Sequence, residues 1–492
     1  MTKIHLLCTF ALLYLASLTQ AQTAQCGQQR ALHQLEKQYS NLQKAANATF
    51  EAAKESYRLN ANRRRGVVHQ VEVVVHVVYN AEEQNISDEL IHSQIEVLNE
   101  DFRRLNADAE NARDIYKSLG GDAEIEFVLA SVDPDGNPTN GITRTQTAIE
   151  SFMDVNIEFD AILGAAEECD LDISNILNIP DSTLLCLQQV LLEGSLEETS
   201  DDPDAIQLDD VKRSDRGGID PWDTERYINI WVTNLNMNFM GQEVPALLGF
   251  AYPPVGAPNW PDEVFLENLS EVTGVVVHHQ AFGRNNPNTG ALGVIADGGG
   301  TCTHEMGHYF GLRHVHGDGA CDSDDGISDT PVSDANQQAQ PDPNTLPVCS
   351  DLHNIDTCPE DDLPDMVENY MDYNAITCQN LFTIEQVGIM RAMLEGPRSG
   401  LIQTTTSTAS ALLNQSFSIY PNPTSDEVFL RLEGYDIEDF EVRVQNTIGQ
   451  TSNVQISNNN QIINLSSLPE GIYIVQIVKE NLVVGKKVSI LR

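Results

Sequence analysis

Three histidines, a glutamate and a glycine occupy fixed positions within HEMGHYFGLRH, residues 304 to 314. His304 and His308 are four residues apart, so on a helix their imidazoles lie on one face, about 6 Å from each other. Gly311 can adopt a positive φ, end the helix and turn the chain, which brings His314 back beside the other two. For the three imidazoles to meet, a chain with this spacing has to form a helix followed by a sharp bend.

Such a cluster is typical of a metal site. Three neutral imidazole nitrogens and an open fourth position form the tetrahedral site expected of catalytic zinc. Zinc lowers the pKa of a bound water from about 15.7 to about 7, and Glu305 can take the proton and pass it to a leaving amine. The pattern predicts a zinc hydrolase with Glu305 as general base and His304, His308 and His314 as ligands. With three ligands placed, His316 is expected to support the site or to lie at the surface.

The charge of the chain disfavours two classes of partner. Its 492 residues include 73 acids and 28 bases, which give a formal net charge of -45. A field of this sign repels nucleic acid and anionic membrane surfaces, so no nucleic-acid partner is expected. The simpler interpretation is that the charge serves only solubility. The length indicates two or three folded units.

Residues 1–21 have the pattern of a secretory signal peptide. Lys3 precedes a mostly apolar run over residues 4 to 18, and Ala21 lies at the usual cleavage spacing. The run is shorter than the roughly 20 residues that cross a membrane, and no later segment is long enough. We therefore expect an exported chain without a transmembrane segment.

Export permits disulfide bonds, and all the cysteines except Cys8 lie beyond the signal peptide. Four of them follow the histidine motif in loops rich in Asp, Gly, Pro and Asn, namely Cys321, Cys349, Cys358 and Cys378. Two bonds are expected among these four, and spacing alone leaves the pairing open. A further bond, Cys169–Cys186, would leave Cys26 and Cys302 unpaired.

Hydrophobic patterns divide the rest of the chain. Residues 22–65 are polar with a helical pattern and end in three arginines, which form an exposed, cleavable junction or a basic loop. The patterns predict a helix at 87–105 and strands at 67–80, 226–235 and 274–283, the last being the final strand of its domain. His278 and His279 on that strand point to opposite sides and are expected to be structural. Residues 150–216 form an acidic insertion to which we assign no chemistry. A Ser/Thr-rich linker, residues 401–411, precedes short alternating strands over 412–492, which predict a small β-sandwich.

The histidine motif resembles the metzincin signature, and VENYMDY, residues 367 to 373, resembles the Met-turn of the same proteins. The pappalysin family is the most similar, from about Val67 to Leu394. The resemblance implies an α+β catalytic domain over residues 66–400, with a twisted mixed sheet, an active-site helix and a loop-rich C-terminal subdomain. It also implies that Met371 packs beneath the metal and that Tyr373 stabilises the oxyanion formed during hydrolysis.

The same resemblance implies the bonds Cys321–Cys358 and Cys349–Cys378. It implies structural calcium as well, which oxygen-rich loops suit. Candidate calcium ligands are the side chains of Asp325 and Asp329 and the carbonyls of Ile327 and Thr330.

The segment QCGQ around Cys26 resembles the family's latency motif. Residues 22–65 are therefore expected to be a prosegment whose Cys26 thiolate blocks the zinc until cleavage near residues 63–65. Relatives that cut before Arg carry an Asp where this chain has Thr377, so the resemblance leaves the side-chain preference open, with Glu385 as a substitute acid.

Residues 412–492 resemble the sorting domain of the type IX secretion system, through YPNP, GIYIV and GKKVSILR. The resemblance implies the secretion machinery as a partner, export across the outer membrane, and release or attachment at the cell surface. It says nothing about catalysis.

Together these features predict a secreted zinc endopeptidase that hydrolyses peptide bonds of proteins and is made as a zymogen. The alternative is a surface binding protein that keeps the metal site without catalysis. A zinc hydrolase of non-peptide substrates is a third class, which the third histidine and the Met-turn disfavour.

Overall fold

The computed structural model divides into two compact units, residues 1–402 and 403–492. It describes residues 25–38, 42–60, 67–153, 156–157, 169, 205–239, 242–245, 247–254, 273–289, 297–335, 349–361, 363–374, 376–403, 416–432, 434–435, 440–446, 452, 454–457, 461–479 and 482–492. The predicted signal peptide, the arginine run at 63–65, Cys186 and most of the predicted linker lie outside the described residues. No described helix is long and apolar enough to cross a membrane.

An eight-stranded mixed sheet organises the first unit. The strands of this unit are β1 (Gln25–Cys26), β2 (His69–Tyr79), β3 (Ile125–Leu129), β4 (Ile142–Gln146), β5 (Asn156–Ile157), β6 (Tyr227–Thr233), β7 (Asn236–Phe239), β8 (Gln242–Pro245), β9 (Leu247–Ala251), β10 (Val275–His278) and β11 (Ile402–Gln403). The order is β1-β9-β10-β6-β2-β11, with β3 and β4 also paired to β2, while β5, β7 and β8 form a second small sheet. Strand β2 is parallel to β3, β4 and β6, and β9 runs antiparallel to β10. The valines of β2 are buried on both faces, as expected of a strand that is covered on two sides.

Helices cover this sheet and lie between its strands in the chain. They are α1 (Gln28–Gln38), α2 (Leu42–Asn60), α3 (Asp88–Phe102), α4 (Asp114–Lys117), α5 (Gly300–Tyr309), α6 (Cys349–Leu352) and α7 (Ile384–Glu395). The hydroxyls of Ser87 and Thr383 accept backbone N–H groups at the starts of α3 and α7, which is why those helices begin there. Helix α5 packs on β9, β10 and α3. The helix predicted at 87–105 and the strands predicted at 67–80 and 226–235 therefore exist with slightly shorter bounds.

One expectation about strands is wrong. Strand β10 is not the last strand of its unit, because β11 pairs beside β2. The helical pattern predicted within residues 22–65 is confirmed by α1 and α2, and the structure adds β1 before them, which extends the sheet in parallel with β9. Both missed strands are two residues long, which is too short for any alternation to be read from the sequence.

The described part of the acidic segment 150–216 is packed rather than peripheral. Lys212 is fully buried, with its ammonium over the rings of Trp231, Phe250 and Tyr252 and paired with Asp209 at 2.9 Å. The interaction of a cation with aromatic faces fixes residues 207–216 against β6 and β9.

His278 ends β10 and His279 follows it in a short turn, so their rings lie 4.7 Å apart, centre to centre, and not on opposite sides as predicted. Both His278 and His279 are buried, and His278 contacts Asn236 Oδ1 through Nε2 at 3.0 Å. Burial lowers the pKa of His278 to about 3 and that of His279 to about 4, so both stay neutral.

The second unit consists of two antiparallel sheets around one apolar core. Its strands are β12 (Phe417–Tyr420), β13 (Glu427–Leu432), β14 (Glu441–Asn446), β15 (Gln455–Ser457), β16 (Ile462–Asn464), β17 (Gly471–Lys479) and β18 (Leu482–Ile490). The sheets have the orders β12-β13-β16-β15 and β14-β17-β18. Along β13, Val428 and Leu430 are buried and their neighbours exposed, so the period of two read from the sequence has its physical basis in a sandwich.

Helix α3 holds α5 through two buried polar side chains, seven residues apart. Gln94 donates to the Gly299 carbonyl at 3.0 Å, just before α5 begins. The Asp101 carboxylate accepts hydrogen bonds from Thr303 Oγ1 at 2.6 Å and from the Tyr370 hydroxyl at 2.8 Å. It has no cationic partner among the described residues, and burial raises its pKa to about 7. Asp101 thus ties the helix that carries the histidine motif to the segment that carries Met371.

The Asp101 carboxyl gives a pH dependence of stability. Its pKa rises from 3.8 to about 7 on folding, so the stability it provides is full below about pH 4 and is lost as pH rises through about 7. Asp101→Asn keeps the shape of the protonated carboxyl without titrating. Between about pH 4 and about pH 8, we expect the unfolding free energy of the variant to gain on that of the parent by up to about 4 kcal/mol. Urea denaturation across this range measures the difference, and parallel pH profiles would contradict it.

Candidate metal centre

Helix α5 and the bend after it bring three imidazoles together. His304 and His308 lie on one face of α5, and the chain turns at Gly311, which has φ +89°. A Cβ at Gly311 would also lie 2.6 Å from Met393 Cε, so both conformation and space require glycine there. The turn places His314 Nε2 3.0 Å from His308 Nε2, which in turn lies 3.1 Å from His304 Nε2.

The outer nitrogens of the three rings are all held by acceptors. Nδ1 of His304 donates to the Tyr370 carbonyl at 2.6 Å, and Nδ1 of His308 donates to the Leu312 carbonyl at 2.9 Å. Nδ1 of His314 donates to Asp318 Oδ1 at 2.5 Å. Each Nε2 therefore carries the lone pair, and the Nε2 of His308 faces those of both His304 and His314.

Three lone pairs at this separation repel one another unless a cation lies between them. Tetrahedral zinc with nitrogen ligands spaces those nitrogens by about 3.3 Å, close to what the rings adopt. Burial lowers the pKa of His304 to about 4 and those of His308 and His314 well below their usual range. The rings stay neutral, which is the form that binds metal. The donor set therefore fits one zinc ion.

Glu305 is buried beside this cluster. Its Oε1 has no hydrogen-bond partner among the described residues, and Oε2 accepts from Cys26 Sγ at 3.5 Å. Burial raises the pKa of this carboxyl to about 8, against a lowering effect of the Cys26 hydrogen bond. Gly249 on β9 leaves the space that the Glu305 side chain occupies, because a Cβ added at Gly249 would lie 2.9 Å from Glu305 Cγ.

Cys26 reaches the same point from β1. Its sulfur and one nitrogen from each of the three imidazoles lie within 4.8 Å of one another, and Cys26 is not in a disulfide. The Gly27 N–H donates to the Gly249 carbonyl at 2.7 Å, which fixes the approach of the thiol. The structure thus brings the four residues predicted from two distant parts of the sequence to a single site.

Met371 and Tyr373 lie on either side of the cluster. Met371 is buried, and its sulfur occupies the space beside Gly307, where a Cβ would clash with it. The Tyr373 ring lies 4.5 Å from the His314 ring and 6.1 Å from the His304 ring, centre to centre. Burial raises the pKa of Tyr373 well above its usual range, so the hydroxyl remains a hydrogen-bond donor.

The structure adds supporting residues that the sequence did not reveal. Asp318 orients His314, and Asp101 holds the Tyr370 side chain whose own carbonyl orients His304. His316 is buried rather than at the surface, with its ring stacked 5.0 Å from that of His314 and its Nδ1 accepting from the Asp318 N–H. The signal for Asp318 was present as a carboxylate four residues after the third histidine, since such partners commonly orient a ligating imidazole.

The four calcium candidates are held by different partners. Asp325 Oδ1 accepts from the Ile327 N–H at 2.9 Å and from Thr330 Oγ1 at 3.0 Å, all within one loop. Asp329 accepts instead from Thr383 Oγ1 and the Glu385 N–H, at the start of α7. Burial raises the pKa of Asp325 to about 7. Within the described residues, groups of three or more ligand-type side chains occur only around His314.

The loops after the motif are fixed by two disulfide bonds. Cys321 is bonded to Cys358, and Cys349 to Cys378, which are the pairs that the resemblance implies. Cys169 is also in a disulfide, and its predicted partner lies outside the described residues.

Neither of the two residues considered for a preference for Arg at the cleaved bond, Thr377 and Glu385, presents a free carboxylate. Thr377 is exposed. Glu385 accepts from the Ser328 N–H at 2.9 Å, so its carboxylate is already engaged within the calcium-candidate loop.

Comparison with known proteins agrees with this geometry. Residues 284–395 match the peptidase family model described as pregnancy-associated plasma protein-A, and residues 418–491 match a secretion system C-terminal sorting domain. An extracellular metalloprotease of Arthroderma benhamiae is 30% identical over 170 residues, which are 34% of this chain and 49% of that protein. One from Aspergillus oryzae is 40% identical over 107 residues, 21% of this chain and 30% of that protein. The match with this chain therefore spans about half the length of the first relative and less than a third of the second.

A solved structure extends the likeness over most of the first unit. A mutant of promirolysin from Tannerella forsythia is 32% identical with a TM-score of 0.52, and the match covers 77% of this chain and 97% of that one. The fold, the histidine motif and these matches lead to one conclusion: the chain belongs to the pappalysin family of metalloproteases.

Proposed function

We propose that this protein is a secreted zinc-dependent endopeptidase that hydrolyses peptide bonds of proteins. The observation that carries the proposal is the convergence of three neutral imidazoles whose Nδ1 atoms are all held by acceptors. A zinc ion at that point supplies Lewis acidity and lowers the pKa of a bound water to about 7. The ligands are His304, His308 and His314.

Glu305 acts as the proton carrier. Among the described residues, one oxygen of its carboxylate has no hydrogen-bond partner, and burial raises the pKa of the group to about 8. A carboxyl group with a pKa near the working pH can both take a proton from water and return it to the leaving amine. The Tyr373 hydroxyl, beside His314, donates a hydrogen bond to the developing oxyanion, while Met371 supports α5 from beneath.

Glu305→Gln tests the mechanism. The amide keeps the shape of the carboxylate but accepts no proton, so we expect peptide hydrolysis to fall by about 10²- to 10⁴-fold while zinc remains stoichiometric. Casein cleavage and elemental analysis measure the two quantities. Both chains are assayed after cleavage near residues 63–65 and removal of the prosegment. Unchanged activity would exclude Glu305 as the general base, and an inactive activated parent with full zinc would favour a binding protein.

Residues 22–65 act as a prosegment in this proposal. Cys26 occupies the point where a water would approach the zinc, and β1 covers the free edge of β9 next to Glu305. A thiolate at the fourth position blocks turnover. Cleavage near residues 63–65 would then start activation.

Removing the thiol should release part of this block. We expect the Cys26→Ala precursor to hydrolyse a peptide substrate faster than the parent precursor before any cleavage, as measured with a fluorogenic peptide. Gln29→Ala, an exposed position three residues further along, is the matched control and should stay latent. A Cys26→Ala precursor as silent as the parent argues against the switch.

Structural calcium is the second cofactor we propose, in the loop that contains Asp325, Ile327, Asp329 and Thr330. Burial raises the pKa of the Asp325 carboxylate to about 7, although the Arg313 guanidinium lies close enough to interact with this residue. A hard cation with oxygen ligands would relieve the cost of burying the charge.

Calcium should therefore stabilise the protein when zinc is already present. Adding calcium to zinc-loaded, calcium-free protein is expected to raise the melting temperature by several degrees, because the ion binds the folded state alone. Asp325→Asn should abolish the rise, whereas Asp351→Asn, at an exposed acid, should keep it. A melting temperature that does not respond to calcium in the parent excludes the site.

Residues 412–492 direct export in this proposal. The match to a secretion system sorting domain supports the type IX machinery as the partner that recognises this unit. The exported enzyme is then released or held at the cell surface, where it encounters protein or peptide substrates.

A further inference from the structure

Helix α2 buries one face in the core of the catalytic unit, although it precedes the predicted cleavage site. Phe50 and Ala53 are 2% and 5% exposed and belong to the same apolar cluster as β2, β6 and α5. The opposite face, with Glu51 and Glu55, is exposed. The helix therefore has the amphipathic pattern of an element that packs on a folded surface.

The loop around the third histidine provides the polar part of this contact. The Arg313 guanidinium lies 3.9 Å above the Phe50 ring and donates to Asn47 Oδ1 at 3.0 Å. The Lys54 ammonium donates to the Gly326 carbonyl. A cation over an aromatic face and a hydrogen bond to a backbone carbonyl both require the helix to sit in one register.

Helix α7 provides the rest of the surface. The Tyr57 ring lies directly on Gly388, so that a Cβ added to this glycine would overlap three of the ring carbons. Helices α2 and α7 pack along each other. The missing side chain at Gly388 thus leaves a recess on α7 that the Tyr57 ring fills.

We propose that the surface formed by α7 and residues 313–326 is a binding site for helix α2 in its own right. It keeps the prosegment bound after the chain is cut at residues 63–65. This inference rests on the proposed function and extends its regulation: cleavage alone does not free the site.

Two contacts hold the prosegment, namely Cys26 at the histidine cluster and α2 on its binding surface, and they act together. Cys26 and α2 belong to one segment, so while α2 stays docked the thiol remains at a high local concentration beside the histidines. Release of the block requires loss of both contacts, by dilution or by digestion of the severed segment.

The test uses the full chain with Glu305→Gln, which prevents self-digestion, and with residues 63–66 replaced by the recognition sequence of a site-specific protease. Cys26→Ala is added so that only the helical contacts hold the fragment. After cutting, size-exclusion chromatography and mass spectrometry show whether the fragment elutes with the catalytic unit, and titration of the cut material gives its dissociation constant.

We expect the fragment to co-elute. Gly388→Ala, which fills the recess with a residue that favours helix, should weaken retention at least tenfold, and so should Tyr57→Ala, which leaves the catalytic unit unaltered. Leu59→Ala removes an apolar side chain of the same helix that is 72% exposed and should retain the fragment like the parent.

Separate elution of the fragment from the cut Cys26→Ala chain would overturn the inference, and so would equal retention by Gly388→Ala, Tyr57→Ala and the parent. Zinc content and melting temperature of the uncut variants establish that each is folded. Failure of the proposed function has a different signature, namely no hydrolysis by a cut, Glu305-containing chain from which the fragment has been removed by digestion or dilution.

Discussion

The structure depends on holding three imidazole nitrogens together, with His308 Nε2 lying 3.1 Å from His304 Nε2 and 3.0 Å from His314 Nε2. Without a cation between them such an arrangement is repulsive, so the surroundings have to fix each ring from its outer side. They do so with two backbone carbonyls and one carboxylate: Leu312 and Asp318 lie in the bend after α5, and Tyr370 comes from a distant segment. Much of the first unit can be understood as the scaffold that delivers those three acceptors.

The scaffold is economical because the same elements perform several tasks. Helix α3 fixes the start of α5 through Gln94, and through Asp101 it fixes Thr303 and Tyr370. A closed ring of contacts results, since Thr303 precedes His304 in the chain and the Tyr370 carbonyl accepts from His304. Moving any member of this ring displaces a metal-facing nitrogen.

The sequence was sufficient where local geometry decides the outcome. The i, i+4 spacing of His304 and His308 fixes a shared helix face, and a glycine at Gly311 permits the bend that returns His314. The long valine-rich strand β2 and helix α3 were likewise readable from period alone. The sandwich strands of the second unit follow from their alternation.

What remained hidden depends on contacts between distant segments. Asp101 carries no motif, and its role exists only once the fold brings it to Thr303 and Tyr370. The short strands β1 and β11 are defined by their partners, not by their own residues. His316 could have been an exposed residue as far as spacing goes, and its burial follows from stacking on His314.

The two disulfides have a topological consequence. Their loops overlap, since Cys349 lies inside the loop closed by Cys321 and Cys358, and Cys358 lies inside the loop closed by Cys349 and Cys378. Any single backbone break between residues 321 and 378 therefore leaves both pieces covalently joined. From residue 321 onwards, the connection to Met371 thus tolerates a nick, an advantage for a protein that meets other proteases outside the cell.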